Sequence, residues 1–350
     1  MTQDAIQVWK PELISPSDER WGSFISAQPQ ATIFHHPQWM KLLSECYGYQ
    51  PFVLAVSSPE DKIGAGVAFM EIGGSKKGRR WVSLPFTDHC APLFQEETAQ
   101  NYLVSSLPSL AKEGTIHQIE LRWRYPDHPA IQTATNFVLA KVNVDGGPEQ
   151  VASRIKRKHF RQVNVSKERG VSVEQGIDQR LLWDFYKLHT QTRRQFGVPV
   201  QPKKFFEQLW KQLLQNGYGF ILAAYKDKHC VAAAIFLNWN FTLIYKYAAS
   251  NEEGRKSLAM DPILWKAICW GCENGYRWLD MGRTDLSNIG LREFKRRWGA
   301  EEIPLSYSYF PAAPMSDRNG RLLSLVKSVI RHSPPWVCRL SGELFYKYFA

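Results

Sequence analysis

The chain has 350 residues and 40.3 kDa, of which 44% are hydrophobic and 13% aromatic; this buries a substantial interior and excludes a disordered chain. At that length two domains are expected rather than one core. A formal charge of +11 and a pI near 9.3 point to an anionic partner, whether a phosphorylated ligand, RNA or an acidic membrane surface, without choosing among them.

Six scattered cysteines fit a reducing compartment better than a disulfide scaffold. No basic-then-apolar start and no run of ~18 apolar residues is visible, so a cytoplasmic protein without a membrane span is expected.

In chain order, residues 37–48 predict a helix, and 51–56, 63–72 and 80–86 predict strands, with the glycine cluster at 73–80 as a mobile hairpin turn. The loop 83–94 then carries Asp88 and His89, a polar pair leaving an apolar strand. Such residues either bond their own backbone or bind a ligand. A helix over 96–112 and a strand over 117–123 follow. The run 154–170 holds seven Lys/Arg against one Glu. It reads as an anion-binding helix lining a cleft, or as a solvated connecting helix.

The second half predicts a helix over 203–215 and antiparallel strands over 220–225, 230–239 and 241–250. A helix follows with Asp261 as its cap and Pro262 at its first position, stopped at Gly275. A strand over 276–282, a helix from near Asn288 and a strand over 303–310 complete the series. The stretch 321–336 places Leu322, Leu323, Val326, Val329 and Ile330 on one face, to pack on the protein or lie on a membrane.

Residues 37–56 align with 205–224 as helix, glycine–aromatic break and strand. This predicts an α/β protein with α+β mixed sheets built from two copies of one module: 1–150, 151–312, and a helical tail 313–350.

Chemical motifs are sparse. No GxxxxGKS/T loop exists, and Cys269-x-x-Cys272 lacks the second pair of a zinc site, so no metal is expected. The loop 250–260 leaves a strand for a helix N-terminus, where free N–H groups favour an anion. Arg255 and Lys256 add charge and Gly254 permits close approach, while Asp261 works against a phosphate on the helix axis. In the stretch 280–300, Leu291, Phe294 and Trp298 form an apolar stripe with Lys295 on its border and Arg296 on the far side. That lysine reads as a partner of Asp280, as a snorkelling side chain, or as a cation aimed at a reaction. Asp280 and Arg283 sit at the C-terminal end of the preceding strand, the usual ligand end of an α/β sheet.

The stretches 33–49, 83–94, 188–206, 245–250 and above all "LDMGRTDLSNIGLREFKRRWGA" (279–300) resemble the Fem family of peptidyltransferases and FemAB-related relatives in the GNAT acyltransferase superfamily. The resemblance covers roughly 30–310. It implies two tandem GNAT-like modules and an acyl or aminoacyl transferase acting on an amine, in cell-envelope or surface-polymer metabolism. It assigns Lys295 to stabilising the tetrahedral intermediate and Asp88 to handling the acceptor, with Asp280 beside them. The donor, acyl-CoA or aminoacyl-tRNA, would meet Gly254, Arg255, Lys256 and Tyr247. Trp39, His89, Arg194, Arg283 and Asn288 are the substrate-binding candidates in the same stretches. The implied partners are a small-molecule or polymer-precursor amine, tRNA, and the inner membrane surface as a peripheral contact. The competing reading is a non-enzymatic basic protein that binds RNA or a membrane through 154–170 and 321–336.

Overall fold

The computed structural model describes residues 9–74, 78–112, 116–310, 328, 330, 331 and 333–346. The chain divides into two compact units, one of Met1–Phe137 with Pro304–Ser316 and one of Val138–Ile303 with Asp317–Ala350.

The first unit runs β1 (Lys10–Ile14), α1 (Glu19–Ser26), α2 (Pro37–Tyr47), β2 (Gln50–Ser57), β3 (Ile63–Gly74), β4 (Gly78–Val82), β5 (Leu93–Phe94), α3 (Glu97–Lys112) and β6 (Ile116–Leu121). It also holds the start of β7 (Gln132–Asn143) and most of β13 (Glu301–Phe310). Strand order is β1-β2-β3-β4-β6-β13, with β5 also on β3; β4 and β6 are parallel, the other pairs antiparallel. Helix α2 starts where Pro37 supplies a preset φ and His36 Nδ1 accepts from the Gln38 N–H. It buries Trp39, Met40, Leu42 and Leu43. Trp9, Phe69, Leu103, Ile119 and Phe310 are among the buried core.

The second unit contains the end of β7, then α4 (Pro148–Arg154), α5 (Arg157–Glu168), β8 (Ser172–Gly176), α6 (Gln179–Gln195), α7 (Lys203–Gln212), β9 (Gly219–Lys226), β10 (His229–Trp239) and β11 (Thr242–Ser250). It continues with α8 (Glu252–Lys256), α9 (Met260–Glu273), β12 (Trp278–Asp285), α10 (Ile289–Arg297) and α11 (Pro335–Phe345). Strand order is β7-β12-β11-β10-β9-β8, with β8 to β11 antiparallel and β12 parallel to β11. Val144, Phe236, Leu243, Ile263, Ile268 and Leu279 belong to its core.

The two units share an internal order. A helix (α2 or α7) leads into three antiparallel strands, then a helix (α3 or α9) and a strand parallel to the third (β6 or β12).

Four expectations change in detail. The strand expected over 80–86 stops at Val82, because Leu84 and Phe86 take φ of 60° and the chain leaves the extended conformation. The basic run at 154–170 is two helices, since Ile155 is extended and ends α4 before α5 begins. Asp261 lies in the first turn of α9, whose cap is Ala259. Of the apolar stripe expected at 322–330, all but Ile330 lies outside the described residues; Ile330 itself is buried.

Candidate functional site

The site begins with an irregularity in β11. Ile235 pairs with Tyr247 and Phe236 with Tyr245, so Lys246 is an extra residue in β11. The bulge reverses the alternation of side chains. Tyr245 turns to the α9 face and lies 5.4 Å from the Phe236 ring. Tyr247 turns to α6 and α7, with ring centroids 5.4 Å from Phe206 and 6.0 Å from His189. Next to the bulge, β11 and β12 share register only over Thr242–Ile244 and Trp278–Asp280, although β11 runs on to Ser250.

Beyond that point the α9 face holds a cavity of about 330 Å³. Its walls are His159 and Gln162 of α5, Tyr245 and Ser250 of β11, Gly254 and Arg255 of α8, Asp261 of α9, and Phe294, Arg297 and Trp298 at α10. Asn251 caps α8, its side chain accepting from Gly254 N–H at 2.8 Å, and Arg255 Nη1 donates to Ser250 O at 3.1 Å. A Cβ on Gly254 would stand 2.2 Å from the Val231 carbonyl oxygen, so only glycine lets α8 seat this closely on β10. The loop expected over 250–260 is therefore largely a helical turn. Lys256 does not line the cavity; it pairs with Glu252 at 2.7 Å on the exposed side.

A second, wider depression of about 660 Å³ shares His159, Gln162 and Arg297 with this cavity. Arg154, Lys156, Lys158 and Arg296 line it, with Glu293 as the one carboxylate. His159 is held below its ordinary pKa, first by burial and then by Arg297, Lys158 and Lys156. A bound anion would reverse those cation effects.

Asp261 is the carboxyl inside the cavity. It is 8% exposed, and burial pushes its pKa up to about 6, against the opposing pull of Arg297. Its folded pKa lies above its unfolded value of 3.8, so ionisation costs stability. The penalty is absent below about pH 4, grows as pH rises through 6, and is full above that; two units correspond to about 3 kcal/mol. Asp261→Asn should therefore raise the melting temperature at pH 8, and the gain should vanish near pH 4. A gain independent of pH, measured by calorimetry, would show that the ionised carboxylate is not destabilising.

Lys295 is 3% exposed, and its ammonium donates to the carbonyls of Gly282 at 2.7 Å and Arg283 at 3.2 Å. Asp280, 1% exposed, accepts from Gly282 N–H at 2.7 Å. The lysine at the border of the apolar stripe thus ties α10 to the end of β12. Asn288 caps α10, accepting from Leu291 N–H at 3.2 Å, while the Arg283 side chain is exposed. Arg194 lies half-buried on α6, and its Nε has no hydrogen-bond partner among the described residues.

The first-unit candidates gather around the turn after β4. Leu84 and Phe86 at φ of 60° store strain of ~1–3 kcal/mol each. The turn is held by Ser83 N–H on Glu120 O (2.8 Å), by Arg122 Nη1 on Thr87 O, and by Tyr307 OH on Asp88 O (2.7 Å). Asp88 is half-buried there. His89 and Trp39 both pack on Phe34, at centroid distances of 5.9 and 5.2 Å, and Trp39 is fully buried in the core.

Residues 153–296 match the family model described as the acetyltransferase (GNAT) domain. The second unit carries a GNAT acyltransferase domain. The fold of the chain is similar to that of FemX, at 14% identity over 90% of this chain and 100% of that one, with a TM-score of 0.67. It is also similar to the C-terminal domain (DUF2156) of a candidate lysylphosphatidylglycerol synthetase from Agrobacterium fabrum, at 13% identity over 89% and 96% of the two chains and a TM-score of 0.54. L-PGS from Bacillus licheniformis matches at 13% identity over 91% and 97%, with a TM-score of 0.53. No curated protein matches the sequence significantly. The GNAT domain contains the whole of the cavity lining except Arg297 and Trp298.

The residues around the cavity that sequence reasoning did not single out are His159, Gln162, Tyr245 and Arg297. The basic runs that hold His159 and Arg297 were visible, but the bulge that turns Tyr245 inward has no sequence marker.

Proposed function

We propose that the chain transfers an acyl or aminoacyl group from a phosphate-bearing donor to an amine, in cell-envelope or surface-polymer metabolism. The observation that supports this most is the cavity of the GNAT domain, where β11 outruns its pairing with β12 and Arg255 and Arg297 stand at the wall. Cations at that position neutralise donor phosphates, and the adjoining basic depression extends the same field. The amine attacks the donor carbonyl, negative charge gathers on its oxygen, and the thiol or hydroxyl leaves as the amide forms.

In this reading Lys295 is a positioning group. Its ammonium, held on the Gly282 and Arg283 carbonyls, fixes the strand end that faces the reaction. Asp280 supports the same turn through Gly282. Asp88 and His89, on the braced turn of the first unit, are the proposed acceptor contacts. Acyl-CoA and aminoacyl-tRNA are the two donors of the required chemistry; the likeness to the candidate lysylphosphatidylglycerol synthetase from A. fabrum keeps the aminoacyl donor in view. No helix among the described residues is long and apolar enough to cross a membrane; a cytoplasmic site of action is part of the proposal.

Thermal shift with CoA, acetyl-CoA and charged tRNA tests the donor. Saturation at 100 times Kd stabilises by about 2.7 kcal/mol, or roughly 5–10 °C for a unit of this size. One of the three should give that shift, and Arg255→Glu should abolish it. No shift with any of them, together with no acylated product, would favour the non-enzymatic binding protein.

A further inference from the structure

Helix α11 is seated firmly on one side and exposes large side chains on the other. On its inner side Cys338 is fully buried, and its Sγ contacts the Val198 carbonyl at 3.4 Å. A Cβ on Gly342 would lie 1.8 Å from the Val200 carbonyl oxygen, so the helix axis comes as close to that segment as backbone allows. Glu343 Oε1 accepts from the Lys203 N–H at 2.8 Å and fastens α11 to the start of α7. These contacts leave the helix no freedom to turn its outer side inward.

That outer side exposes two large apolar side chains together with Arg339 and Glu343. Trp336 is 57% exposed and Leu340 50%, one turn apart on the same stripe. The next stripe, Pro335 and Arg339, borders a groove of about 470 Å³ whose other walls include Trp183, Lys187 and Lys203. Lys203 Nζ lies 4.6 Å from the Trp183 ring centroid and 3.4 Å from Glu207. Lys187, Arg331 and Arg339 are exposed and make no ion pair among the described residues. Glu343 and Glu207 are the acidic groups close by, and both already serve α7.

We propose that α11 and the adjoining groove dock the protein on an anionic lipid bilayer. Trp336 and Leu340 enter the boundary between headgroups and acyl chains, and Lys187 and Arg339 take the lipid phosphates. An exposed tryptophan beside an aliphatic residue suits that boundary, because the indole has an apolar body and one N–H for the wet side. An acidic membrane satisfies the exposed apolar side chains and the unpaired cations together. The chain's charge of +11 adds long-range attraction of the same sign. This surface lies in the second unit and involves none of the residues that line the donor cavity.

The test is flotation of the full chain with vesicles of phosphatidylcholine alone and of phosphatidylcholine with phosphatidylglycerol. Binding is expected to the mixed vesicles and to be weak with the neutral ones. Trp336→Ser with Leu340→Ser should lower the partition coefficient at least tenfold, and Arg339→Glu by about fivefold or more. All three side chains are largely exposed, so the melting temperature should hold and report an intact fold. Lys158→Glu, in the basic depression beside the donor cavity, should change partitioning much less. Equal binding to both vesicle types, no binding to either, or undiminished binding by the apolar double variant would each overturn the proposal. So would tight binding to RNA that is lost with Arg339→Glu while vesicles remain unbound.

Discussion

Lys295→Met is expected to lower the melting temperature by about 4–8 °C and turnover by about 10²-fold. The ammonium is buried and donates to two strand-end carbonyls, Gly282 at 2.7 Å and Arg283 at 3.2 Å. Methionine keeps the length of the stem but has no donor, so both acceptors lose this partner in a buried place. Leaving buried polar groups unsatisfied costs ~1–3 kcal/mol, and the middle value of about 2 kcal/mol at roughly 2–4 °C per kcal/mol gives the stated fall. Turnover suffers because the end of β12 shifts, and a displacement of about 1 Å near reacting groups can cost ~10² in rate. Arg296→Met is the control on stability: its side chain is 50% exposed and its contact with Glu302 is 3.7 Å, within the ~0–1 kcal/mol of surface pairs. Lys295→Arg, which keeps a charged donor, should recover part of the lost stability. Equal melting temperatures for Lys295→Met and Arg296→Met would refute the strand-anchoring role. A loss in kcat with stability and donor affinity untouched would instead move Lys295 from positioning to direct contact with the reacting oxygen.

The question posed by that lysine shows what a sequence can carry. Its place at the edge of the Leu291, Phe294 and Trp298 stripe followed from helical spacing, but its burial did not: Leu291 of that stripe is 39% exposed and Phe294 half-buried, while Lys295 is the buried residue of α10. The acceptors did not follow either, since they are backbone carbonyls thirteen and twelve residues earlier, and backbone groups leave no trace in composition. Strands β9, β10 and β11 were legible because apolar runs are broken by turn residues at 226–229 and 240. Helix α6 was not, because Asp184, Lys187, Thr190, Arg193 and Arg194 interrupt its stripe and its buried face includes His189 and Thr190. Strand β7 begins in largely polar residues and becomes apolar only from Phe137, so half of it resembles a loop. The cavity was half legible: charge at Arg255 and the glycine at 254 were visible, but Tyr245 reached it through a one-residue bulge.

Arg297→Glu should weaken donor binding by about 10–100-fold and alter its dependence on salt. Arg297 is the arginine common to the cavity and the wider basic depression, so any phosphate passing from one to the other meets it. A hydrogen bond to a charged group is worth ~1.5–3 kcal/mol, and reversal adds repulsion to that loss. The carboxylate it introduces also removes the pull that now holds Asp261 down, so the Asp261 pKa should climb beyond about 6. Donor binding by the variant should then improve as pH falls from 8 to 6, as Asp261 takes up its proton. Salt separates the two donors. CoA carries few phosphates and should give a shallow slope that changes little with Lys156→Glu, since Lys156 lines only the open depression. An RNA donor lays several phosphates along Arg154, Lys156 and Lys158, and each lost contact should flatten the log–log slope by ~0.7. Isothermal titration at three salt concentrations measures both quantities. Unchanged affinity of Arg297→Glu for whichever donor the native chain binds would place that donor outside this cavity.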